Sequence, residues 1–263
     1  MKTLIIPDIH LEVKWADEMV QQHQPDRIIL LGDYFDPSPA HRGQRSLIAE
    51  PGQSADMLIW LAGMIKEYGE RIVVLTGNHD AAYLYPEATI QIYFEAQPVF
   101  HTSSYSTRVL AEIEKRAAEI ALIRSQASWF YYDEASSYLY SHAGVCPQVF
   151  ADASGTVTLE SIGQILAEAM DKARAGAYHP ALGIGRRRGG TYPVGGITWL
   201  DFNAEFTPVP GFKQIVGHTP QPSGFAHQEG NFCLDGIQQT VATIDDKQLQ
   251  IVVNNKVEYQ SKL

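Results

Sequence analysis

The sequence predicts an α/β fold, and three observations carry that reading. Its first half alternates short hydrophobic runs with helical patterns, the signature of β-α-β units and a parallel sheet. The runs are continuous rather than alternating in polarity, as in strands covered on both faces. Each run stops at a cluster of Asp, Asn, His and Gly, the end of the strand at which open α/β sheets bind their ligands.

Thr3 to Ile6 reads as the first strand. A helix from Trp15 to Gln24 leads through Pro25-Asp26 into a second strand, Arg27 to Leu31, and such a unit implies parallel pairing with a right-handed crossover. The next helix, Ser54 to Tyr68, places Met57, Leu58, Leu61, Met64 and Ile65 at helical spacing and closes at Gly69. Arg71 to Leu75 is the third strand. From Ala81 to Asp133 the pattern changes to an irregular aromatic stretch and then a charged helix, Arg108 to Arg124, with Leu110, Ile113, Ala117 and Ile120 on one face. Two readings stand for it: a helical cap inserted over the site at about 81–135, or a helix packed on the sheet. Tyr138 to Tyr140 is a fourth strand and Leu159 to Arg174 a helix. The segment 176–210, rich in Gly, Pro and Arg, reads as a long loop, and such loops are often functional. Gln214 to Val216 follows, and Asn231 to Leu234, Thr240 to Ile244 and Leu249 to Val253 read as closing antiparallel strands, with a hairpin turn at Asp245-Asp246-Lys247. No repeat or linker interrupts the pattern, which predicts one domain over residues 1–263.

A chain of 263 residues can bury a large core, and 45% hydrophobic with 19% charged residues is a globular composition. The apolar run Leu4-Ile5-Ile6 is too short for a signal-peptide core, and no segment approaches the roughly 18 apolar residues of a membrane helix. The expected location is therefore cytoplasmic, with no membrane partner. Cys146 and Cys233 lack the spacing of a zinc knuckle or redox pair and read as free buried thiols. A net charge of −10 argues against a stable nucleic-acid complex, because affinity for a phosphate backbone comes from Lys and Arg. Arg186-Arg187-Arg188 is a local exception, read either as a grip for a phosphorylated substrate or as a solvated loop.

Five clusters carry the chemistry: Asp8-Ile9-His10, Gly32-Asp33-Tyr34-Phe35-Asp36, Gly77-Asn78-His79-Asp80, Ser141-His142-Ala143-Gly144 and Gly217-His218-Thr219. Any one is an ordinary loop sequence. Together, at strand ends, they offer carboxylate and amide oxygens with several imidazoles, a mixed set that favours transition metals over calcium. Asp8 and His10, one residue apart, can address one ion from a single strand end. Two adjacent ions need a bridging ligand, and Asp33 is the best candidate because Gly32 lets the backbone turn close to them.

On these residues the chain resembles the calcineurin-like metallophosphoesterase superfamily, whose signature is D-x-H, G-D-x-x-D, G-N-H-[DE], a later H, and G-H. The match runs from Asp8 to His218, and Asn231-Phe232-Cys233-Leu234-Asp235-Gly236 resembles the family's next segment. The resemblance implies a four-layer α-β-β-α sandwich with two central mixed sheets. It implies that Asp8, His10 and Asp33 hold one divalent ion (Mn, Fe or Zn) and that Asp33, Asn78, His142 and His218 hold a second. His79 would be the general acid, or the charge stabilising the leaving oxygen, with Asp36 fixing its ring. Asp80 can simply anchor the turn. The implied reaction is direct attack on phosphorus by a hydroxide formed at the metal pair, without a covalent phosphoenzyme. The implied substrate is a phosphorylated small molecule, nucleotide or phosphoprotein, cleaved as a monoester. A phosphodiesterase or dinucleoside polyphosphate hydrolase is the alternative, and a protein-binding scaffold the non-enzymatic one.

Two departures stand out. Pro220 occupies the place where many members carry a second His after the G-H, which leaves one metal less fully ligated. Pro37-Ser38 replaces the Arg-Gly that follows G-D-x-x-D in the phosphoprotein-phosphatase and diadenosine-tetraphosphatase branches. Another base must then grip phosphate. Arg42, Arg45 and Arg186 to Arg188 are the candidates, and the last are preferred because they precede Gly195-Gly196-Ile197-Thr198-Trp199, which resembles the loop carrying a second phosphate-binding Arg in that branch.

Overall fold

The computed structural model describes residues 1–37, 49–92, 95–100 and 102–263. The chain runs β1 (Thr3–Ile6), α1 (Val13–His23), β2 (Arg27–Leu30), α2 (Pro51–Tyr68), β3 (Ile72–Leu75), α3 (Ala81–Leu84), β4 (Thr89–Ile92), β5 (Glu95–Pro98), α4 (Thr107–Glu114), α5 (Ala117–Gln126), β6 (Ala127–Ser128), β7 (Phe130–Asp133) and β8 (Tyr138–Ser141). It continues through α6 (Pro147–Phe150), α7 (Leu159–Arg174), β9 (Lys213–Val216), β10 (Ala226–Gln228), β11 (Asn231–Cys233), β12 (Thr240–Asp245), β13 (Gln248–Val253) and β14 (Lys256–Lys262).

The strands form a seven-stranded sheet, β14-β13-β12-β1-β2-β3-β6, a five-stranded sheet, β10-β11-β9-β8-β7, and the hairpin β4-β5. Both large sheets are mixed. β1, β2, β3 and β6 run parallel, with Ile5 opposite Ile29 and Ile29 opposite Val73, whereas β12 joins β1 antiparallel. In the smaller sheet β8, β9 and β11 are parallel, and β7 and β10 pair antiparallel at its edges.

Strand alternation builds four layers. Leu4, Ile6, Ile28 and Leu30 point outward into a core shared with α1, α2, α4 and α5. Ile5, Ile29 and Leu31 point inward and meet Tyr138, Tyr140, Ile215 and Phe232 of the second sheet. That sheet's outer face is covered by α6 and α7, with Leu139 packed among Phe150, Ile162 and Leu166. The result is the expected α-β-β-α sandwich. Among the described residues no helix is long and apolar enough to cross a membrane.

β4, β5, β6, β10 and β14 have no counterpart in the sequence reading, and three predicted elements differ from the expectation. α2 begins at Pro51, where a proline fits because the first helical N–H has no partner to lose. The charged helix is two helices, α4 and α5, broken at Lys115-Arg116; both pack against α2, and Val109, Ile113, Ile120 and Ile123 complete that core. β11 is not one of the closing antiparallel strands: it lies parallel to β9 in the smaller sheet, while β12, β13 and β14 close the larger one.

Candidate metal centre

Parallel strands from both sheets end on the same side, so their following loops converge. Asp8 and His10 follow β1, Asp33 and Asp36 follow β2, and Asn78, His79 and Asp80 follow β3. His142 follows β8 and His218 follows β9. All nine side chains are buried.

The local backbone is forced. His10, Asp33 and His218 have φ of 48°, 58° and 66°, a left-handed conformation that costs a non-glycine residue about 1–2 kcal/mol and that folds retain mainly at functional sites. Gly32, at φ 110°, lies so close to the Gly77 backbone that a Cβ would stand 2.6 Å from its nitrogen. Asp80 is the clasp: its carboxylate accepts the backbone N–H of Asp33 at 2.7 Å, Tyr34 at 2.7 Å and Gly77 at 2.8 Å. Its position after the histidine thus anchors both turns. Asp8 accepts the His218 N–H at 3.0 Å on each oxygen, tying the two sheets together.

Two triads result, Asp8-His10-Asp33 and Asp33-His142-His218, each with ligand atoms within 4.8 Å of one another. Asp33 belongs to both. Its Oδ2 lies 3.6 Å from His10 Nε2 and its Oδ1 3.4 Å from His142 Nε2, one oxygen turned to each side.

The donor chemistry fits cations. His142 Nδ1 lies 2.9 Å from the Leu31 carbonyl, which can only accept, so this nitrogen carries the proton and Nε2 a lone pair. That lone pair faces Asn78 Oδ1 at 2.9 Å. His218 Nδ1 lies 3.2 Å from the same nitrogen, so three atoms suited to one ion converge there. His10 is fixed in the same way, by Nδ1 donating to the Asp36 carbonyl at 2.9 Å, the orientation commonly imposed on metal-binding imidazoles. Burial pushes His142 down to about 3 and His218 well below its ordinary value, keeping both rings in the neutral form that binds metal. Burial, then the neighbouring Asp235, raises Asp8 well above the usual carboxylate range; burial, then Asp8 and Asp80, does the same to Asp33. Uncompensated negative charge is what such a cluster would shed by taking up divalent ions.

Beside the triads, His79 Nδ1 lies 3.1 Å from Asp36 Oδ2, and its ring meets the His10 ring edge-on at 5.3 Å. The three arginines separate. A 3-10 turn spans Arg186–Arg188, and at three residues per turn its side chains point in three directions. Arg186 and Arg187 are exposed, whereas Arg188 turns to the site, donating to Thr219 Oγ1 at 3.1 Å and pairing with Asp201 at 3.3 Å. Arg42 and Arg45 lie outside the described residues. Sequence reasoning missed Asp235 as a site residue, although it follows β11 as Asp8 follows β1. It also missed Ser104 and Tyr83, which come from the irregular stretch and carry no motif.

Fold and site together define a two-sheet α/β protein with two overlapping groups of candidate metal donors at its strand ends. The chain belongs to the calcineurin-like phosphoesterase family, whose sequence profile matches residues 1–253, and is a hydrolase acting on phosphoester bonds. A point mutant of a cold-active protein tyrosine phosphatase superposes over 100% of this chain and 80% of its own, with TM-score 0.59 and 14% identity. A protein serine/threonine phosphatase from Saccharomyces cerevisiae, with similarity to human phosphatase PP5, superposes over 94% of this chain and 73% of its own, with TM-score 0.53 and 15% identity. At these identities the likeness is one of fold. No curated protein matches the sequence significantly.

Proposed function

We propose that the chain is a two-metal phosphatase acting on phosphomonoesters, of a nucleotide or a phosphoprotein. The observation that carries this reading is Asp33, whose two oxygens face two separate histidine-containing triads. Asp8, His10 and Asp33 would hold one ion, and Asp33, Asn78, His142 and His218 the other, with Mn, Fe and Zn all suited to this donor set. When bound, such a pair supplies charge to the phosphoryl oxygens and lowers the pKa of a nucleophilic water.

The protein's own groups divide the remaining work. Arg188, held by Asp201 and Thr219, places a guanidinium beside His218 that can pair with the non-bridging oxygens of a monoester. It takes the part of the arginine missing after Asp36. His79, fixed by Asp36, gives a proton to the leaving oxygen.

A substrate panel on Mn- or Zn-reconstituted protein tests the reading: an alkyl and an aryl monoester, a diester, diadenosine tetraphosphate and a phosphopeptide. Monoesters are expected to show the highest kcat/KM. Arg188→Ala should raise KM for them by about tenfold or more, the loss of one charge-assisted pair of about 1.5–3 kcal/mol. Arg186→Ala and Arg187→Ala should leave it unchanged. A preference for the diester would overturn the assignment.

A further inference from the structure

The Asp36–His79 pair does not stand alone. Asp36 Oδ1 accepts the Tyr83 hydroxyl at 2.9 Å, and Oδ2 accepts the Ser104 hydroxyl at 2.8 Å. Ser104 Oγ also lies 2.8 Å from His79 Nδ1. Tyr83 Oη in turn accepts the backbone N–H of Ser106 at 3.1 Å. Tyr83 sits in α3, directly after the Gly77-Asn78-His79-Asp80 turn, whereas Ser104 and Ser106 lie in the loop ahead of α4. Two segments outside the metal-binding loops therefore meet on one carboxylate, and Ser104 and Asp36 are both buried.

Counting protons gives this network a direction. The Ser106 N–H occupies the tyrosine oxygen as an acceptor, so the Tyr83 proton goes to Asp36. Ser104 Oγ also has Thr102 Oγ1 at 3.3 Å, which can donate to it, but its own single proton cannot serve both Asp36 and His79. If it is donated to Asp36 Oδ2, Ser104 Oγ is left as an acceptor facing His79 Nδ1. Both groups nearest that nitrogen then accept, and it must carry hydrogen. Without Ser104, Asp36 Oδ2 at 3.1 Å would be the sole hydrogen-bond partner of Nδ1 among the described residues.

We propose that Ser104 and Tyr83 are positioning residues for His79: they hold Asp36 as the acceptor of the Nδ1 proton, so that the ring is aimed with Nε2 toward the leaving group and the proton transferred to the leaving oxygen is a second one, carried on Nε2, while Nδ1 keeps its own. The inference rests on the reading of His79 as the group that assists leaving-group departure. It assigns a task to the loop ahead of α4, which completes the hydrolytic machinery from outside the metal-binding clusters.

The test compares Ser104→Ala, Ser104→Thr, Tyr83→Phe and His79→Asn on the metal-reconstituted protein, with an alkyl phosphate and p-nitrophenyl phosphate as substrates. Ser104→Ala should lower kcat for the alkyl ester about tenfold, a fraction of the roughly 10²-fold or more that general acid help supplies, with KM and metal content unchanged. Its loss on p-nitrophenyl phosphate, whose leaving group departs without a proton, should be much smaller. Tyr83→Phe should follow the same pattern, and Ser104→Thr should restore the alkyl rate by keeping the hydroxyl. Ring ¹⁵N shifts of His79 should show Nδ1 fully protonated in the parent and only partly so in Ser104→Ala. His79→Asn separates the two claims. Equal losses on both esters in His79→Asn would remove the leaving-group role itself. An ester-selective loss in His79→Asn, with Ser104→Ala losing nothing or losing equally on both esters, or with unmoved ring shifts, would overturn the positioning role alone.

Discussion

At the scale of single residues, the site is made by conformations that the chain would otherwise avoid. His10, Asp33 and His218 all adopt positive φ, and each is held there by a bond from elsewhere: Asp80 to the Asp33 N–H, Asp8 to the His218 N–H, and the Asp33 carbonyl to the His10 N–H at 2.7 Å. Asp33 is thus at once clasped, strained and shared. Asp33→Asn keeps the shape and one amide oxygen but removes the charge, so it should weaken both ions together. His10→Asn should weaken only one. Calorimetric titration of the metal-free proteins with Mn and elemental analysis of the loaded ones read this directly. Retention of both ions at parent affinity in Asp33→Asn would remove the shared role.

At the scale of elements, the helices after the β4-β5 hairpin show that packing and chemistry divide along the chain. Ile113 of α4 is fully buried in the core between α2 and the larger sheet, while Ser104, a few residues earlier, belongs to the site. Ile113→Ala should therefore cost about 2–5 kcal/mol of stability, the usual range for truncating a buried isoleucine, with metal stoichiometry and KM unchanged below the melting transition. Urea unfolding beside metal titration separates the two effects; a change in metal affinity at full folding would show that α4 supports the centre. The same elements show what a sequence can disclose. β1, β2, β3 and β8 were legible because each is a continuous apolar run ending in a polar cluster, and the metal-ligand candidates were legible because those clusters come in order. The break between α4 and α5 was not, since Lys115 and Arg116 are ordinary helix formers and the chain turns there to fit α2. β6 has two residues and no pattern of its own. β14, an edge strand of Lys, Glu, Gln and Ser with Val257 and Tyr259, reads as polar coil until β13 supplies its partner. The parallel partner of β11 lies in another part of the chain, and no local signal distinguishes it from the antiparallel strands that follow. Arg188 was legible only as one of three, because the choice among them is made by the turn geometry.

At the scale of the whole molecule, the two sheets are joined by an apolar layer that contains tyrosines. Tyr138 and Tyr140, two residues apart on β8, point inward together and lie 6.3 Å apart by ring centroid; Phe232 is 6.4 Å from Tyr138 and 5.1 Å from Tyr259 of the other sheet. Facing sheets stand about 10 Å apart, so ionisation here would place a phenolate largely out of water, Tyr138 lying at the layer's edge beside a surface cleft. Burial accordingly pushes Tyr138 up to about 12, with Tyr259 adding to it, and raises Tyr140 as well. The sign follows from linkage. An unfolded tyrosine ionises near about 10, so the fold favours the neutral form, and the stability this provides is complete below that pH and is lost as pH rises through the folded value. Urea unfolding should show stability constant up to about pH 9 and then falling steadily. Phenolate absorbance should rise in two phases, exposed tyrosines first and the inter-sheet pair only with unfolding. Tyr138→Phe, which removes the ionisable group and keeps the ring, should flatten the alkaline decline while leaving metal content untouched. Ionisation of all tyrosines in one phase with the fold intact, or an unaltered slope in Tyr138→Phe, would mean that the layer between the sheets admits water.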